Sequence, residues 1–215
     1  MDTKLTGKTR IESDLIGARE IPAEALYGVQ TLRGIENFSI SKFRLSEYPL
    51  FIKGLAITKM AAAMANFELG LLTVEQKDAI IAACGEILDG KHHDQFPVDM
   101  IQGGAGTTTI MTAKEVIANR ALAVMGHERG EYHYCSPNDH VNCSQSTNDA
   151  YPTAIHIGMY FKHLQLLPHL EELIASFRKK GEEFSQIIKM GRTQLEDAVP
   201  MTLGQTFNGF ASILQ

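Results

Sequence analysis

From Thr153 to Ile188 the chain reads TAIHIGMYFKHLQLL followed by PHLEELIASFRKKGEEFSQII, apolar residues recurring at helical spacing for 36 positions. No other feature narrows the fold as much. The stretch is either two long helices or one interrupted near Pro168. A long helix with an apolar stripe must bury that stripe against other helices. The rest of the chain offers too few, so other subunits or further chain beyond Gln215 are expected to supply them.

The remaining patterns are also helical. Ser46–Gly70 places Pro49 where a first-turn proline is tolerated and stops at glycine. Thr73–Gly90 opens with the capping-box spacing Thr73-x-x-Gln76 and closes at Asp89-Gly90. Ala113–Gly126 and Thr202–Gln215 read as two more helices. Ile16–Gly28 reads as a short strand or extended arm, then a helical turn from Pro22. The class is mainly α. A small N-terminal helical domain over 1–140 is expected to precede, at 141–215, the first part of a long-helix bundle domain, truncated at Gln215.

Bulk chemistry excludes several classes. A net charge of −5 gives no basic footprint for nucleic acid. The start, MDTKLTGKTRIESDL, has no apolar core of a signal peptide, and no run reads as a membrane span. Cys84, Cys135 and Cys143 are odd in number and lack paired spacing, which argues against a disulfide framework. A reduced, cytoplasmic protein that binds neither nucleic acid nor membrane is expected.

Three short polar stretches stand out: QGGAGTTT (Gln102–Thr109), SQSTND (Ser144–Asp149) and GRTQLED (Gly191–Asp197). The first two lead into helices. A helix N-terminus presents unpaired N–H groups and a partial positive charge, which suits an anion. Glycine permits close backbone approach, and Ser and Thr hydroxyls add neutral donors. Converging, such loops would hold a dicarboxylate or steady charge that develops during a reaction. Taken singly, each also reads as an ordinary helix-entry turn or N-cap. No P-loop is present, nor a G-x-S-x-G elbow. His133, Cys135, His140 and Cys143 are spaced too closely for common zinc modules. Arg33 could pair with a carboxylate substrate or form a structural salt bridge.

Four segments together carry a specific resemblance: Asp14–Phe38, Asp94–Thr107, Gly130–Ala154 and Lys189–Gln205. They resemble the fumarase/aspartase superfamily, and within it the aspartase (aspartate ammonia-lyase) branch. That resemblance implies a homotetramer with each active site built by three subunits. It implies reversible elimination of ammonia from L-aspartate to give fumarate, with no organic cofactor and, in some members, a divalent activator such as magnesium. Thr107, Ser146 and Thr147 would grip the β-carboxylate as it gains charge in an aci-carboxylate carbanion. Asn148 and Thr193 would hold the leaving amino group, with Gln194 beside them. Fumarases typically carry His at the position of Gln194, and His-Pro-Asn-Asp where this chain reads Ser136-Pro137-Asn138-Asp139. Both differences favour aspartase; fumarate hydratase, or a non-catalytic dicarboxylate-binding, oligomerising remnant, is the alternative. Ile110, Thr112 and Lys114 replace asparagines usual in the family. The catalytic serine loop is expected beyond residue 215, so no catalytic base is assigned within the chain and the fragment alone is expected to be inactive.

Overall fold

A computed structural model describes residues 7–215; residues 1–6 of the polar start lie outside the described residues. The chain forms two compact units, one reaching Met159 and the other Tyr160–Gln215, and the division falls inside a helix.

The first unit opens with a hairpin, β1 (Thr9–Asp14) paired antiparallel with β2 (Gly17–Pro22), Thr9 opposite Pro22 and Asp14 opposite Gly17. Asp14 closes the turn by accepting the Ile16 and Gly17 amides. The sequence reading anticipated β2 but not β1, whose inward-facing residues Arg10, Glu12 and Asp14 are charged while Ile11 is exposed, so no apolar alternation signals a strand. Helix α1 (Val29–Asn37) follows, then α2 (Pro49–Glu68), α3 (Val74–Leu88) and α4 (Thr107–Val124).

Local chemistry sets these boundaries. Pro49 is the first residue of α2, and Gly70 ends it at φ +75°. Thr73 and Gln76 form the expected reciprocal capping box on α3, at 3.1 and 3.2 Å. Helix α4 starts six residues before the expected Ala113, because the threonine-rich Thr107–Thr112 segment enters the helix as well.

Helix α3 packs on α2 and α4. The core joins Ile52 and Leu55 of α2, Ile80, Cys84 and Ile87 of α3, and Val116, Ile117 and Leu122 of α4. Helix α2 is long and apolar enough to cross a membrane by length and composition alone, with a mean hydropathy of 1.3 over its best window. The sequence reading passed it over. In the fold one face of it, Ile52, Leu55, Ala56 and Ala63 with Lys59 and Asn66, is buried, while Met64 is exposed.

Helix α5 (Thr147–Glu183) resolves the Pro168 ambiguity: it is one helix of 37 residues. A proline inside a helix removes one N–H donor and crowds the preceding turn, at about 3 kcal/mol. Pro168 is exposed, so water can serve the carbonyl it frees. The first turns of α5 belong to the core through Ala150 and Ala154. A Cβ at Gly54 of α2 would overlap the Ala154 carbonyl, so the two backbones cross in close contact.

In the second unit the end of α5 leads into β3 (Ile188–Thr193) and β4 (Glu196–Thr202), an antiparallel pair, and then α6 (Leu203–Leu214). Gly204 lies against the Gly181 carbonyl, and Phe177, Phe184, Phe207 and Phe210 form an aromatic cluster where α6 folds back on α5. Leu164, Leu166, Leu173 and Ile213 remain exposed, which fits the stripe expected to need further helices.

One ion network gives a pH dependence. Glu86 of α3 receives Arg120 of α4 through both oxygens and His92 through Oε2 at 2.8 Å. Arg120 foremost lowers the Glu86 carboxyl to about 2. A depressed carboxylate contributes stability that is complete above the unfolded-state pKa, near 4.5, and fades as pH falls toward the folded value. Arg120→Met should therefore cost about 1–2 kcal/mol at pH 6, and that gap should shrink steadily below pH 4.5 in urea titrations. A gap independent of pH would show that the arginine contributes packing alone.

Candidate functional site

The first polar loop is fixed by its own glutamine. Gln102 Oε1 accepts the Thr109 amide at 2.8 Å, while Nε2 donates to Thr109 Oγ1 at 2.8 Å and to the Asp99 carbonyl. Gly104 and Gly106 take φ +75° and +81°, and Gly106 is the N-cap of α4. The three threonines therefore face different surroundings. Thr109 is buried, and the Thr108 methyl packs against Gly34. Thr107 is exposed at the first position of α4, its hydroxyl in no hydrogen bond among the described residues.

The residues that depart from the resemblance have local roles. Ile110 joins the core. Buried Thr112 donates to the Thr108 carbonyl at 2.9 Å, and its oxygen lies 3.1 Å from the Thr31 hydroxyl, whose proton goes to Glu115. Lys114 donates to Asn138 Oδ1.

The second loop leads into α5. Ser144 sits at φ +55°. Ser146 caps the helix: its carbonyl accepts the Asp149 and Ala150 amides and its hydroxyl the Asn148 amide. Thr147 is the first helical residue, and the side chains of Thr147 and Asn148 have no hydrogen-bond partner among the described residues. The two loops are neighbours. The Tyr151 ring, one turn into α5, lies against Gly106 so closely that a Cβ there would overlap it. Phe51 meets that ring edge-on, centroids 5.7 Å apart. Thr107 and Thr147 thus each open a helix at adjoining loops, where unpaired N–H groups favour an anion.

Thr193 and Gln194 belong to the second unit, at the end of the β3–β4 hairpin. Both are exposed. Gln194 and Leu195 form its two-residue turn at φ +50° and +66°, a geometry usually left to Gly or Asn. Two residues with side chains at positive φ make this turn strained, and both side chains are exposed at its tip.

Other sequence candidates resolve structurally. Arg33 makes a two-pronged bridge to Asp14, 2.8 Å on each side, and donates to the Gly17 carbonyl, tying the hairpin to α1. His92 and His93 fold back onto α3, to Glu86 and the Ile87 carbonyl. Burial pushes the Cys84 and Cys135 thiols up to about 12, which makes them inert. Among the described residues no three His, Cys, Asp or Glu side chains are grouped to hold a metal ion.

Three features escaped the sequence reading. Glu115 and Glu12 reach across the fold to cap α1: Glu115 accepts the Gly28, Gln30 and Thr31 amides and the Thr31 hydroxyl, and Glu12 accepts the Val29 amide. Lys59 and Asn66 of α2 grip the segment before Ser146. A cavity of about 600 Å³ is lined by Asp14, Gln30, Lys114, Glu115, Tyr132 and Asn138, none of them among the six expected substrate ligands. A buried charge in a helical run carries no sequence signal that separates it from a solvated one.

A family model described as "Lyase" matches residues 17–215. An aspartate ammonia-lyase of Pseudomonas canavaninivorans is 58% identical over 205 residues, 95% of this chain and 43% of that protein. A solved structure described as fumarate lyase:delta crystallin from Brucella melitensis superposes with a TM-score of 0.89 at 52% identity, covering 96% of this chain and 45% of that one. The class II fumarase of Schistosoma mansoni gives a TM-score of 0.84 at 37% identity, covering 97% and 44%. The chain spans less than half the length of each.

Proposed function

This chain belongs to the lyase family, in the fumarase/aspartase superfamily, and from that premise we propose that it supplies the β-carboxylate cradle of an aspartate ammonia-lyase. In that reaction the β-carbon of L-aspartate loses a proton to a base. Its electron pair first delocalises into the carboxylate, then forms the Cα–Cβ double bond as the C–N bond breaks and ammonia departs. The added negative charge on the carboxylate is where neutral, pre-aimed donors lower the barrier.

The observation that carries the reading is the pairing of two helix starts. Thr107 and Thr147 open α4 and α5 with free hydroxyls, at loops joined through Gly106 and Tyr151. Ser146 completes the cradle. Asn148, Thr193 and Gln194 are assigned to the amino group. No Gly-Ser-Ser tripeptide occurs in these 215 residues, so the base and the α-carboxylate clamp are assigned to the remainder of a longer polypeptide. The uncovered stripe of α5 fits a homotetramer, and three free cysteines fit a reducing cytoplasm.

Aspartase is preferred over fumarase by Gln194, and by an identity of 58% to the aspartate ammonia-lyase against 37% to the fumarase. The test is turnover by the full-length protein, with fumarate release followed from L-aspartate and from L-malate. L-aspartate alone should react, and the 215-residue chain by itself should turn over neither. Thr147→Val should lower kcat/KM for L-aspartate by roughly 100- to 1000-fold with Tm nearly unchanged, the usual effect of removing one donor to developing charge. Turnover of L-malate in place of L-aspartate would assign a hydratase; binding of succinate without turnover of either would assign a non-catalytic remnant.

A further inference from the structure

Beneath the second polar loop lies an ammonium held only by amides. Lys59, midway along α2, is 1% exposed. Its Nζ donates to Asn142 Oδ1 at 2.7 Å and to Gln145 Oε1 at 2.9 Å. Two turns further along the same face, Asn66 Nδ2 donates to the Cys143 carbonyl at 2.8 Å. The amides complete the knot. Asn142 Nδ2 reaches the Gln145 carbonyl, and Gln145 Nε2 reaches the Val141 and Cys143 carbonyls. Both side-chain amides of the segment, Asn142 and Gln145, are thus oriented around the Lys59 charge. Ser146, Thr147 and Asn148 follow directly.

A neutral donor would serve if the role were only to bridge. A buried ammonium without a carboxylate partner is costly. Among the described residues Lys59 forms no salt bridge, and the groups facing it are Lys114 from α4, Cys84 from α3 and Asp149 from α5. Burial first, and then Lys114, lowers its pKa to about 8. The charge adds two things that a neutral group would not. Charge-assisted bonds fix which end of each amide faces inward. A positive charge also lies behind the N-terminus of α5, reinforcing the helix field where an anion would sit.

We propose that Lys59 is a positioning residue for the cradle: its ammonium sets the placement of Ser146, Thr147 and Asn148 and adds the buried positive charge that draws a substrate carboxylate to the start of α5. This rests on the dicarboxylate reading above. The neutral amine keeps two donors, so above its pKa the loop loosens and the field weakens, without unfolding.

Two measurements on the full-length protein test it separately from the reaction assignment. In ¹⁵N NMR from pH 6.5 to 9.5, Lys59 Nζ and the backbone amides of Gln145–Asn148 should titrate with one midpoint near 8, and Lys59→Met should abolish the transition in those amides. In steady-state kinetics, KM for L-aspartate should rise roughly tenfold across that midpoint, more than kcat changes. Lys59→Met should show the raised KM at pH 7 with no such step. Lys59 titrating while those amides stay still would overturn the proposal, as would an unchanged KM in Lys59→Met. If Lys59→Met does not fold, the wild-type titration decides alone. If the protein does not turn over L-aspartate, the reaction assignment fails, and the loop titration still decides whether Lys59 positions the loop.

Discussion

Glu115→Ala is expected to cost about 3–5 kcal/mol, enough to unfold a protein of ordinary stability at 37 °C. Glu115 Oε2 accepts the Gly28 amide at 2.9 Å, the Thr31 amide at 3.0 Å and the Thr31 hydroxyl at 2.6 Å; Oε1 accepts the Gln30 amide at 2.9 Å. These are the donors that the start of α1 leaves without intrahelical partners. The glutamate and Thr31 are buried, so water cannot readily replace the lost acceptor. An unsatisfied buried donor costs about 1–3 kcal/mol. Glu115→Gln isolates the charge geometry. Its amide oxygen can replace Oε2, but its NH₂ would then face the Gln30 amide, donor against donor. An intermediate loss is expected, with midpoints in urea ordered wild type, Gln, Ala. Equal midpoints would mean that α1 is held by Glu12 and packing instead.

Gly106→Ala should damage the site more than the fold. Its φ of +81° is strained for any L side chain, and the new methyl would overlap the Tyr151 ring. The backbone term is about 1 kcal/mol and the overpacking about 1–3 kcal/mol. The larger effect is displacement of Thr107, the next residue. A misplacement near 1 Å costs on the order of 100-fold in rate, so a loss of at least that size in kcat/KM is expected beside a modest drop in Tm. Gly104→Ala is the matched control: it has a similar φ, +75°, but its Cβ would meet only the Thr107 hydroxyl, at 3.6 Å. Gly106→Ala combined with Tyr151→Leu should recover part of the activity. If Gly104→Ala and Gly106→Ala behaved alike, the Tyr151 contact would not be what holds the two loops together.

The helices were legible where short-range chemistry decides. The Thr73–Gln76 box, Pro49 at a first turn, and glycines at 70 and 126 are local signals and lie where expected. The continuity of α5 through Pro168 was not, because the sequence shows the proline's cost but not that its surroundings are solvent. Polar loops at helix starts were legible from composition. Their adjacency was not, since it depends on one ring against one glycine, Tyr151 and Gly106, 45 positions apart. The assignment of Thr107, Ser146, Thr147, Asn148, Thr193 and Gln194 to a substrate came from resemblance; residue chemistry alone stopped at an anion loop. Lys59, Glu115 and Asn66 were invisible for a related reason. In a helix a polar residue reads as solvent-facing, and only the tertiary fold reveals a buried acceptor opposite it.

The central claim is that the starts of α4 and α5 form one carboxylate cradle. A crystal structure of the full-length protein with succinate, which has no amino group to lose, tests it most directly. One carboxylate should accept hydrogen bonds from the hydroxyls of Thr107, Ser146 and Thr147 together. Succinate bound with its carboxylates away from all three hydroxyls, or Thr107 turned to a site separate from Thr147, would contradict the account.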